Sequence, residues 1–131
     1  MKNQFLENVY SCHVPDRLLD ASLLKFDLPK VIEKIINEDA WKTGDRNAIT
    51  LVKNEYMRIV LIALHKKSEI NFHQSGNLIS IQLIQGELNF KTDSQSVILK
   101  EGGLLAVHED MKHNLIALEE SVFLLTIIIA L

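Results

Sequence analysis

The stretch "INFHQSGNLISIQLIQGE", Ile70 to Glu87, decides how this chain is read. Two apolar runs flank the polar break "HQSGN". In the second run Ile79, Ile81 and Leu83 share one face, while Ser80 and Gln82 lie on the other. A period of two marks a strand that lays one face against a core. The same pattern extends both ways from Ala48, through "AITLVK", "YMRIVLIALH", "EINFH", "LISIQLIQ", "ELNFKT", "SVILK", "LLAVH", "NLIALE" and "VFLLTIIIAL". Polar or glycine breaks separate these runs and no helical period intervenes. That predicts an antiparallel sandwich or barrel and argues against a parallel βαβ sheet.

"YMRIVLIALH" is apolar on both faces except at Arg58. Such a strand needs cover on its outer side as well as its inner one. The cover expected is the N-terminal segment or a second copy of the chain, and a homodimer is expected on that ground. In "LPKVIEKIINEDAWKTG", Val31, Ile32, Ile35, Ile36 and Ala40 form one stripe of an amphipathic helix, with Pro29 in its first turn and Gly44 as its stop. "PDRLLDASLLKF" upstream has a shorter pattern, expected to make a helical turn or two. Trp41 is expected to anchor packing. Residues 1–47 are thus read as a helical extension packing on a β-barrel domain of residues 48–131.

A chain of 131 residues with a 47 % apolar fraction can bury one continuous core, and with 6 % aromatics that core must be mostly aliphatic. The net charge of -3 gives no electrostatic case for nucleic acid. The single cysteine, Cys12, excludes an internal disulfide framework and suits a reducing compartment. "VFLLTIIIAL" is about half the length of a membrane span, so it is expected to be a buried final strand. Together with the polar N-terminus this predicts a soluble, cytoplasmic protein with no membrane partner.

Two segments resemble the cupin superfamily, whose first motif runs G-x5-H-x-H-x3,4-E-x6-G and whose second runs G-x5-P-x-G-x2-H-x3-N. Gly86 closes the first motif, which puts Ile79 at the carboxylate position, Ser75 and His73 at the two histidines and Lys67 at the opening glycine. Gly102 opens the second, which puts His108 at the proline, Asp110 at the inner glycine, His113 at the histidine and Ala117 at the asparagine. The resemblance covers about Ile59 to Ile127, and four motif identities stand: His73, Gly86, Gly102 and His113. It implies a cupin-like jelly-roll antiparallel β-barrel with a short helical N-terminal extension.

In that family the motif residues hold a divalent iron, manganese, zinc or nickel ion. Here only His73 and His113 stand at matching places as metal ligands. Ser75 is a poor ligand and Ile79 is none, whereas a catalytic metal centre needs at least three protein ligands. His65, His108, Glu69 and Gln82 are weaker candidates, and His13 beside Cys12 is read as a surface or packing residue. No nucleophile elbow, phosphate loop, CxxC pair or HExxH helix occurs. Two readings of the pocket follow, beside a third, structural one in which the barrel is a dimerisation or sensor unit with no ligand. The first is a binding module for a small molecule, with an apolar pocket lined by Ser75, Ile79, Ile81, Leu83 and Leu115 and with His73 and His113 as polar handles. Its ligand would be largely apolar or aromatic, with one anionic or carbonyl group. The second is a metal-dependent cupin enzyme of the dioxygenase, isomerase or cyclase type.

Overall fold

Among the residues that the computed structural model describes, 19–72, 78–107 and 112–129, nine strands form two antiparallel sheets. They are β1 (Arg46–Lys53), β2 (Met57–Leu64), β3 (Glu69–Phe72), β4 (Leu78–Gln85), β5 (Glu87–Lys91), β6 (Ser96–Lys100), β7 (Leu104–Val107), β8 (His113–Ala117) and β9 (Ser121–Ile128). One sheet has the order β1-β2-β9-β4-β7 and the other β3-β8-β5-β6. From β3 onward the chain passes repeatedly from one sheet to the other, which is jelly-roll connectivity. The alternating sequence produces this directly. β4 and β6 coincide with "LISIQLIQ" and "SVILK", and β1 begins two residues ahead of "AITLVK". The segment "VFLLTIIIAL" supplies β9, whose Phe123 and Leu125 are fully buried. Among the described residues no helix is long and apolar enough to cross a membrane.

The inner faces close on one core. Val60, Ile62 and Leu64 of β2, Ile81 and Leu83 of β4 and Phe123 and Leu125 of β9 meet Ile70, Leu88, Leu115 and Ala117 of the other sheet. The outer faces of β1 and β2 form a second buried cluster, in which Ile49, Leu51, Leu61, Ala63 and Val122 join Ile32, Ile35 and Trp41. The chain's own helices therefore supply the cover that β2 requires. Leu78, Leu104 and Ile128 remain exposed farther along the same sheet.

These helices are α1 (Leu28–Ile36) and α2 (Asp39–Thr43). Asp27 caps α1 by accepting from the Lys30 amide, and Pro29 sits in the first turn. The single helix expected up to Gly44 is broken at Asn37. Its side-chain amide donates to the Glu33 carbonyl at 2.7 Å, the acceptor that its main-chain N–H would use in a continuing helix. That N–H turns to Lys34 instead. Ile36, counted in the apolar stripe, is left 36 % exposed, while Trp41 reaches the buried cluster. The helical turn expected upstream is absent from residues 19–27, which are irregular. There the Leu19 carbonyl accepts from the Lys53 amide at 2.9 Å, so the segment is tied to the edge of β1.

Polar contacts lock the helices and strands together at one end of the barrel. Asn47, fully buried, donates to the Ile35 carbonyl at 2.8 Å and to Glu38 Oε1 at 2.9 Å. Asp45 accepts from Arg46 Nε at 3.1 Å and from Ser68 Oγ at 3.0 Å, and Arg46 reaches the Glu69 carbonyl at 2.8 Å. The Arg46 guanidinium holds the Asp45 carboxyl below its ordinary value of 3.8.

Among the described residues positive φ occurs at Lys67, Gly86 and Gly102, with values of 77°, 98° and 84°. All three are positions where the family motifs place glycine. A Cβ at Gly86 would stand 2.3 Å from Ser121 Oγ and 2.4 Å from the Glu120 carbonyl.

Gly86→Ala is expected to cost about 3 kcal/mol or more in urea unfolding, from backbone strain and overlap with Ser121 together. Lys67→Gly should move the midpoint the other way, by up to about 1 kcal/mol, because it relieves a left-handed lysine. The depressed Asp45 carboxyl stabilises the fold above its unfolded pKa, and this contribution is lost as pH falls through the lower folded value. The stability difference between the protein and Asp45→Asn should therefore be present at neutral pH and vanish in acid. It should be small, because the Asp45 side chain is 63 % exposed.

Candidate functional site

β8 starts at His113, which pairs with Phe72 at the end of β3. Strand alternation puts His113, Leu115 and Ala117 on the inner face. Leu115 and Ala117 are buried in the core, and His113, one step nearer the end, is half-buried at the mouth. Its ring packs against two neighbouring phenylalanines, with centroids 5.0 Å from Phe72 and 5.0 Å from Phe90, which are themselves 6.4 Å apart. The imidazole is thus oriented by two adjacent aromatic contacts, with Nδ1 buried.

Above it opens a cleft of about 310 Å³. Asn71 and Phe72 of β3 line it, with His113 and Asn114 of β8 and Lys112 beside them. Lys91, Thr92 and Asp93, where β5 turns toward β6, complete the rim. The turn is held by the Thr92 amide donating to the Gln95 carbonyl at 2.8 Å and by Thr92 Oγ1 accepting from the Gln95 amide at 3.1 Å. On the outer edge Asn114 Nδ2 donates to Asn71 Oδ1 at 2.7 Å and to Glu69 Oε2 at 3.2 Å. That bond occupies Glu69 on the outer surface of the sheet.

Of the residues singled out in the sequence, His113 lies in this cleft, while Ile81, Leu83 and Leu115 are buried in the core and are not among its lining residues. Ile79 packs against the same core. It pairs with Ile127, which pairs in turn with Arg58, so Ile79 and Arg58 share one cross-strand row. Gln82 is exposed. His73, Ser75, His108, Asp110, Cys12 and His13 lie outside the described residues. His65 belongs to the opposite end of the barrel. Its ring stacks on Trp41 at 3.5 Å, Nε2 bonds the Trp41 carbonyl at 2.8 Å and Nδ1 lies 3.4 Å from Glu120. It fastens α2 to the barrel.

Phe72, Phe90, Lys91 and Lys112 were not singled out from the sequence. The alternation in "EINF" and "ELNF" does put Phe72 and Phe90 on inner faces. Only the pairing of β3 and β5 with β8 shows that they flank one histidine.

The metal that the motifs imply can be tested against the donors present. Ile79 offers no lone pair, and the Ser75 hydroxyl stays protonated near neutral pH. Two imidazoles remain, fewer than a catalytic centre requires. Among the described residues no three His, Cys, Asp or Glu side chains are grouped so as to hold a metal ion. At the motif positions the donor set falls short of a metal catalytic centre.

No protein-family model matches the chain, and no curated protein matches it. Solved structures do. A conserved protein of unknown function from Streptococcus pyogenes aligns with a TM-score of 0.70 at 18 % identity, covering 88 % of this chain and 98 % of its own. Ectoine synthase from P. lautus aligns with a TM-score of 0.64 at 14 % identity, covering 83 % of this chain and 80 % of its own. A cupin superfamily protein from Desulfitobacterium hafniense aligns with a TM-score of 0.60 at 17 % identity, covering 65 % of this chain and 78 % of its own. At these identities the likeness speaks for architecture alone. It agrees with the two-sheet jelly roll and with left-handed backbone at three motif glycine positions. The chain has the cupin fold.

Proposed function

We propose that the protein is a binding module that takes a small molecule at the mouth of its barrel, with His113 and His73 as polar handles. The observation that carries this reading is the His113 ring, packed against Phe72 and Phe90, lining a cleft of about 310 Å³. A polar group already fixed in an apolar frame binds without first losing rotamer freedom, and such a frame with few polar points is the usual make-up of a ligand pocket. The volume falls at the small end of the range for such pockets. Ile81, Leu83 and Leu115 support the site from behind by packing the barrel. The alternative, a metal-dependent enzyme, needs a third ligand that Ile79 cannot supply.

Two measurements test this. Protein purified without a nickel column should carry no stoichiometric iron, manganese, zinc or nickel. In NMR titrations with small aromatic probes such as phenol, benzamide and benzoate, amide shifts should cluster at Phe72, Lys91 and Asn114. His113→Ala should weaken binding by about tenfold, the equivalent of one hydrogen bond and a ring contact. A stoichiometric metal lost on His113→Ala would move the protein to the enzyme reading. Shifts from no probe at all would end the binding reading.

A further inference from the structure

The helices leave part of the outer face of the larger sheet bare. Phe26, α1 and α2 pack over Val52, Ile59, Leu61 and Leu124. One row farther toward the mouth, Met57 of β2 pairs with Ile128 of β9, which pairs in turn with Leu78 of β4. Strand alternation puts all three on the outer face. Met57 is half-buried, but Leu78 is 45 % and Ile128 42 % exposed. The three stand side by side and border Ile59 of the buried cluster, unlike the singly scattered apolar residues of an ordinary surface.

The first described residue, Leu19, lies level with that row. Its carbonyl accepts from the Lys53 amide on the free edge of β1, and Lys53 pairs with Arg58, the neighbour of Met57. Residues 1–18 lie outside the described residues, and their sequence carries an apolar stripe. In "FLENVYSCHV" Phe5, Leu6, Val9 and Tyr10 fall at i, i+1, i+4 and i+5, one side of a helix, and Pro15 stops the pattern. From this we propose that residues 5–14 form an amphipathic helix that seats its stripe on the row of Met57, Ile128 and Leu78. The reach fits. Ten helical residues span about 15 Å, and the three strand spacings from β1 to β4 come to about 14 Å. Residues 15–18, extended, add up to about 13 Å of link. Two other undescribed segments adjoin the row, and neither offers such a stripe: residues 73–77 contain no apolar side chain, and 130–131 are only two residues. Seated there, the segment braces the ends of β2 and β4, which carry Arg58 and Ile79 to the mouth.

The test is proton NMR on the full chain with methyl and ring resonances assigned. Nuclear Overhauser cross-peaks should connect the rings of Phe5 and Tyr10 with the methyl groups of Leu78 and Ile128. In a mixture of labelled and unlabelled chains, filtered for contacts between copies, those cross-peaks should be absent. The double variant Phe5→Asp/Val9→Asp should shift the Leu78 and Ile128 methyl resonances and abolish the Tyr10 cross-peaks. The Ile62 and Phe123 resonances of the core should stay in place, which shows that the fold is kept. Should the variant fail to fold, the cross-peaks of the unaltered chain decide alone. Cross-peaks that pass the filter would overturn the proposal and make the row a contact between two copies. Rings of Phe5 and Tyr10 that meet no part of the row, or meet another face instead, would overturn it too.

Discussion

β2 has two cores to satisfy. Val60, Ile62 and Leu64 face the barrel interior, Leu61 and Ala63 face outward, and all five are fully buried. A strand at the second position of a five-stranded sheet is buried on its outer face only if something lies across it. Here the cover is α1 and α2, which bring Ile32, Ile35 and Trp41 onto the sheet. Asn47 makes this attachment specific, since its amide bridges the end of α1 and Glu38 from a buried position in β1. Leaving that amide unsatisfied would cost a buried polar group its partners, so the helices are directed to one register. The open end of the barrel is built on this scaffold, since β2 also carries Arg58 to the mouth.

The two ends of the barrel treat their histidines differently. His65 is stacked on Trp41, and both ring nitrogens face main-chain or carboxylate oxygens of neighbouring elements. It is part of the fastening. His113 packs on Phe72 and Phe90, both 5.0 Å away, and lines a cleft. An imidazole packed against two aromatic rings is oriented before any ligand arrives. The contrast explains why the cleft belongs at one end of the molecule and why the other end holds together.

Much of the architecture was legible because it is local. Alternation placed β4 and β6 to the residue, and the apolar face of Ile79, Ile81 and Leu83 does point inward. Lys67, read as standing at a glycine position, has the left-handed backbone that such a position demands. The helix break at Asn37 was missed because periodicity is blind to a side chain that captures a carbonyl. The cleft was missed for a different reason. Phe72, Phe90 and the lysines come together only through the pairing of β3, β8 and β5, and that register depends on contacts far apart in the chain. The apolar lining read for the pocket went to Ile81, Leu83 and Leu115, which are interior by pattern. Periodicity cannot tell a packed interior from a ligand cavity.

Ile79 connects the core to the chemistry of the mouth. A carboxylate at that point would need a cation or several hydrogen-bond donors, because a buried unpaired charge is far costlier than a buried methyl group. Isoleucine removes that requirement and extends the apolar row with Ile127, so the barrel stays closed nearly to its rim. The same choice withdraws a metal ligand. Among the described residues, the polar groups lining the cleft are those of Lys91, Thr92, Asp93, Lys112, Asn71 and Asn114, with His113 at the boundary. On the proposed binding reading, such a site would need no buried carboxylate for its stability. Contacts of this kind would, on that reading, be modest and screenable, as reversible capture of a small ligand requires.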